Sequence, residues 1–74
     1  MTLKYLRDLT DESLKATYEH NRRWQIKWFD LYEDNYKHGK RDSFVNRQLD
    51  MFTNNVKKIE RVLKERGIEV WNKN

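Results

Sequence analysis

The apolar positions of the second half of the chain fall on one line. Val45, Leu49, Phe52, Val56, Ile59 and Leu63 are spaced 4, 3, 4, 3 and 4. That is an unbroken heptad seam, and it predicts one amphipathic helix packed along its length. Phe44, Met51 and Val62 widen one flank of the same face. The first half carries a broader pattern. At about 100° per residue, Leu14 and Tyr32 mark the centre of a helical face, and Trp28 lies beside them. Phe29, Tyr18 and Tyr36 form one flank, Trp24 and Leu31 the other, so the apolar arc spans roughly 160°. A hairpin needs one stripe per helix, and the excess predicts a further partner: the N-terminal segment, the C-terminal tail or a second copy.

Local signals set the boundaries. Thr10 is a good N-cap, followed by Asp11 and Glu12 where the positive helix end favours acids. Leu9 then stands at N′ and Leu14 at N4, the hydrophobic-staple arrangement. The first long helix is expected from about residue 10 to 38, with Gly39 taking the left-handed C′ position. The second is expected from about 42 to 66, capped by Asp42 or Ser43 and stopped by Gly67. Leu63 and Ile68 then form the apolar pair of a Schellman ending. The short stretch around Gly39-Lys40-Arg41 makes the two helices antiparallel neighbours. Residues 2–8 predict a short helical segment capped by Thr2, folding back over one end of the hairpin through Leu3, Leu6 and Leu9. The tail, residues 67–74, carries Trp71, whose large apolar surface favours docking.

The predicted fold is therefore all-α: a single domain over residues 1–74, an antiparallel two-helix hairpin with a short N-terminal helical segment. Self-association is expected to complete it as a helical bundle. Composition supports this. There is no proline and only two glycines, too few breakers for many short strands. With 74 residues the chain buries only about 60% of its unfolded surface. Chains this small usually need disulfides, a metal or association. There is no cysteine, and the two histidines, His20 and His38, are far apart, so neither a disulfide nor a zinc site is expected. Lack of cysteine fits a reducing compartment. Neither a membrane span nor an apolar leader core is evident, and a cytoplasmic location is expected.

Two features of the first helix ask for chemistry. Trp24 and Trp28 flank the packing face, each close to a basic residue, within Arg22-Arg23-Trp24-Gln25-Ile26-Lys27-Trp28. Rings bordered by Arg22, Arg23 and Lys27 can stack a base and hold a phosphate. They equally suit a packing face whose rim is covered by side-chain stems. Trp28 is expected in the core and Trp24 at its rim. Ile26 lies about 120° off the face. Asn21 and Gln25 project into the apolar arc. They are expected to satisfy each other, Tyr hydroxyls or polar groups such as Asn55, or to set helix register, or to line a polar pocket.

The net charge of +4 is unevenly placed. Residues 1–38 hold seven basic and seven acidic residues, so the excess lies in the turn, the second helix and the tail. Lys57, Lys58, Arg61 and Lys64 cluster on the outer face of the second helix, and Arg47 extends them. Asp50, Glu60 and Glu65 interrupt this stripe. It reads as a solvated face with i,i+4 pairs such as Glu60–Lys64, or as a surface for phosphates or an acidic protein.

No catalytic role is expected. There is no cysteine nucleophile, no Gly-rich phosphate loop and no metal motif. Ser13 and Ser43 are helix-start residues, and Asp30 with Asp34 supplies too few ligands for a cation. No cofactor is expected. In size, architecture and its Leu9-Thr10-x-Glu12 helix start, the chain resembles small helical phage proteins that block host machinery or sequester cyclic nucleotides. The resemblance implies no particular site residue. The expected function is that of a small non-enzymatic binding module, homo-oligomeric and acting on another protein as inhibitor or adaptor. Two alternatives stand beside it: anion binding, to nucleic acid or a nucleotide, through the basic and aromatic residues, and a purely structural spacer.

Overall fold

The computed structural model describes residues 1–69; Val70 and Trp71 lie outside them. The described residues form three helices: α1 (Leu3–Arg7), α2 (Asp11–Lys37) and α3 (Ser43–Glu65). α2 and α3 pack as a hairpin, and α1 folds back onto α3 at the open end. This is the all-α hairpin that the sequence pattern predicts.

The ends form where the side chains dictate. Thr2 Oγ1 accepts the Tyr5 N–H, and Thr10 Oγ1 accepts the Ser13 N–H, both at 3.1 Å. Asp42 caps α3 through the N–H groups of Phe44 and Val45, at 2.9 and 3.3 Å. Both long helices end in Schellman geometry. Lys40 N–H donates to Asn35 O and Gly39 N–H to Tyr36 O, and the same pair of bonds joins Ile68 to Leu63 and Gly67 to Lys64. Gly39 and Gly67 have φ of 68° and 72°, a region that costs other residues strain.

The core is concentrated at the open end. Leu6, Leu14, Tyr18, Val56, Ile59, Val62 and Leu63 form one buried cluster, with Leu3, Leu9 and Ile68 packed against it. Toward the turn the seam opens. Val45 is buried, but Leu49 and Phe52 are only half-buried. Trp28, expected in the core, is half-buried. Tyr32, expected at the face centre with Leu14, is 39% exposed where Leu14 is 0%. The cause is α1. Val62, Met51 and Phe44 share one flank of α3, yet Val62 is sealed while Met51 and Phe44 are exposed. Only Val62 belongs to the cluster that α1 closes. Beyond α1 the described residues form a single layer of two helices, α2 and α3.

Candidate interaction surface

The side-chain amides within the packing face are satisfied by the chain itself. Asn55 Nδ2 donates to Asn21 Oδ1 at 3.2 Å, and Asn21 Nδ2 donates to Thr17 O at 2.8 Å. Gln25 Nε2 donates to Thr53 Oγ1 at 3.2 Å and its Oε1 accepts from Arg22 at 2.6 Å. Asn21 is 4% exposed, so its pairing with Asn55 ties α2 to α3 at one register. Asn21→Ala leaves the Asn55 amide without that acceptor. The expected loss is about 1–2 kcal/mol of unfolding free energy, measured by urea denaturation. A change within error means that water replaces the bond at no cost.

Trp24 is engaged by three neighbours. It stacks on Phe52 with centroids 6.2 Å apart, meets the His20 edge at 6.5 Å, and takes the Lys27 ammonium 5.2 Å from its centroid. Trp28 meets Phe44 edge-on at 5.6 Å. Its Nε1–H is enclosed and finds no acceptor among the described residues. A base stacking on Trp24 has to displace one of these partners. Of the three basic residues expected around the tryptophans, only Lys27 is brought onto a ring. Arg22 turns to Gln25, and Arg23 is exposed on the outer side of α2.

The basic stripe is divided in the same way. Lys58 Nζ donates to Met1 O at 3.1 Å, and Arg61 pairs with Glu65 at 3.6 Å. Glu60 is turned to the Tyr18 hydroxyl at 3.4 Å, in place of the expected pair with Lys64. Arg47, Lys57 and Lys64 stay exposed.

Glu65 also accepts a two-pronged bond from Arg7, at 3.1 and 2.9 Å, which ties α1 to α3. Arg7 is the main cause that holds the Glu65 carboxyl below its ordinary range, and Arg61 adds to it. A carboxyl lowered in the folded state stabilises the fold above its unfolded value and loses that contribution as pH falls through its folded one. The urea midpoint of the wild type is therefore expected to drop more steeply below pH 4.5 than that of Glu65→Gln. Parallel slopes mean that the bridge adds nothing in solution.

Sequence reasoning missed Arg66, which it treated only as the last residue of the helix. Its guanidinium donates to Arg7 O at 2.9 Å, Leu9 O at 2.7 Å and Leu6 O at 3.5 Å, and pairs with Asp11 at 2.8 Å. One side chain thus joins the end of α1, the following link and the start of α2 to the end of α3. An Arg just before a stop glycine was visible, but its partners are about 60 residues away and leave no periodic trace.

The turn-end half also carries an open groove. The groove, of about 500 Å³, runs between α2 and α3, lined on the α2 side by Ile26 and Phe29 and on the α3 side by Leu49. Arg22 borders it on α2 and Asp50 on α3, and the Gln25–Thr53 bond crosses between the two helices. Ile26 and Phe29 are each 47% exposed, so Ile26 belongs to a patch and is not an isolated surface residue. Among the described residues no three His, Cys, Asp or Glu side chains gather as a metal site, and no helix is long and apolar enough to cross a membrane. No family model, curated protein or solved structure matches this chain.

Proposed function

We propose that this chain is a non-enzymatic helical binding module that acts through protein–protein contact, and that its first partner is a second copy of itself. The observation that carries this reading is the one-sided core. Helices need a second layer to cover an apolar stripe. Over the turn-end half, the single layer leaves apolar side chains exposed on both of its faces: Ile26 and Phe29 at 47% beside the groove, and Leu31, Phe44 and Met51 at 45–54% on the opposite flanks. Apolar side chains exposed beside a groove, as Ile26 and Phe29 are, mark an interaction site.

Charge favours a second copy in the groove. Arg22 stands on one rim and Asp50 on the other. A two-fold contact sets residue i against j and j against i, so the same patch supplies both ends of two ion pairs. An inhibitor or adaptor role is then an activity of the assembled form.

Analytical ultracentrifugation tests this. The wild type is expected as a dimer or larger assembly at micromolar concentration, and Ile26→Glu as a folded monomer. Arg22→Asp and Asp50→Arg are each expected to weaken the assembly about tenfold or more, and the double reversal to restore it. A cooperatively folded wild-type monomer at high micromolar concentration overturns the reading.

A further inference from the structure

At the turn, α2, the connection and the first turns of α3 enclose a second cleft, of about 240 Å³. Tyr32, Asn35 and Tyr36 line it from α2, Lys40 and Arg41 from the connection, and Asn46 from α3. Two phenols, two amides and two cations face one small space. Among the described residues, none of these six side chains makes a side-chain hydrogen bond or ion pair; Tyr32 stacks one face on Phe29, with centroids 6.4 Å apart. Elsewhere side-chain amides between the helices are spent on one another or on a hydroxyl, as at Asn21–Asn55 and Gln25–Thr53. Asp42 is the one acid in the lining. Its carboxylate is turned onto the N–H groups of Phe44 and Val45, where the positive end of α3 offsets its charge. The Schellman bonds of Gly39 and Lys40 fix the backbone that presents both cations.

We propose that this cleft is a binding site for a nucleoside monophosphate. Lys40 and Arg41 hold the phosphate through charge-assisted hydrogen bonds. The base lies against the ring of Tyr32 or Tyr36, and every base offers such a face. Asn35 and Asn46 each carry both a donor and an acceptor for its edge. The cleft is smaller than the roughly 300–1,000 Å³ of pockets that engulf a drug-sized ligand. It takes one nucleotide with part left in solvent. The site is separate from the self-association groove, and neither proposal requires the other.

The test is a titration of the isotopically labelled full chain, followed by NMR, with adenosine, guanosine, cytidine and uridine monophosphates. Inorganic phosphate and the parent nucleosides are titrated in parallel. At least one nucleotide is expected to shift the side-chain amides of Asn35 and Asn46 saturably, and to bind tighter than both phosphate and its own nucleoside. Lys40→Ala with Arg41→Ala is expected to weaken binding about tenfold or more, the loss of two charge-assisted contacts. Tyr32→Ala with Tyr36→Ala is expected to abolish the advantage of the nucleotide over phosphate. Equal affinity for phosphate and nucleotide overturns the proposal. So does the absence of saturable shifts at millimolar ligand, or binding that survives the Lys40/Arg41 change. Sedimentation of the same variants reads self-association independently.

Discussion

Ile59→Ala is expected to lower the unfolding free energy by about 2–5 kcal/mol, the range for deleting a branched aliphatic side chain from a packed core. Ile59 is fully enclosed and sits in the cluster with Leu6, Leu14 and Leu63. Three helices meet there, so the space left behind cannot close by one helix moving. Total stabilities run at about 0.05–0.15 kcal/mol per residue, so one such change removes a large share for a chain of 74 residues. Leu49→Ala belongs to the same heptad seam but is expected to cost less than half as much in the monomer. Leu49 is only half-buried and borders the open groove, so less of its surface leaves water on folding. Urea denaturation of both variants, at concentrations where the wild type is monomeric, checks the contrast. Equal losses mean that the turn-end half is as tightly packed as the open end, and that its apolar residues need no partner.

This contrast also shows how far the sequence carries. Helix ends are local events. Thr10, Asp42, Gly39 and Gly67 cap or stop the helices by chemistry contained within a few residues, and each acts where its identity indicates. The face of each helix is likewise periodic and legible. Distance along that face is not. Val62 and Phe44 have the same angular position on α3, and nothing in a helical projection distinguishes them. What separates them is the length of α1. Its five residues reach about 7.5 Å, against about 40 Å for the 27 residues of α2. α1 can therefore cover only one end of the hairpin. Tyr32 is exposed for the same reason. The wide aromatic arc of α2 was legible as a surplus of apolar surface, because surplus is a matter of counting. Which part of it α1 would cover was a matter of three-dimensional reach.

The polar groups divide along similar lines. The pairing of Asn21 with Asn55 was one of three readings open from the sequence, because both residues fall on facing sides of the hairpin. Lys40 and Arg41 were visible as charge at the turn. The cleft they border was not, since it needs Tyr32, Tyr36 and Asn46 brought together from two helices.

Arg66→Ala is expected to cost about 3 kcal/mol, in line with bonds to a charged group worth about 1.5–3 kcal/mol each before solvent screening. Its side chain is 23% exposed, less than half the exposure of Asp11. Most of the effect is therefore expected from the carbonyls of Leu6, Arg7 and Leu9, and little from the ion pair. A helix of five residues cannot hold itself, because nucleation is costly and each end leaves backbone groups unpaired. α1 is held by Leu6 in the core and by Arg66 at its open carbonyls. Removing Arg66 is expected to free α1 first, exposing Val62 and Leu63 as well as the backbone. Hydrogen exchange of the Leu6 and Asp8 amides, which α1 protects, should accelerate before that of Ile59. Arg66→Lys is expected to recover only a minor part, because one ammonium cannot reach several carbonyls and Asp11 as the planar fork does. Asp11→Asn is expected to cost under about 1 kcal/mol, as an exposed partner should. If Arg66→Lys matches the wild type, a single positive charge near the helix ends is sufficient, and the bridge of hydrogen bonds is not what holds α1.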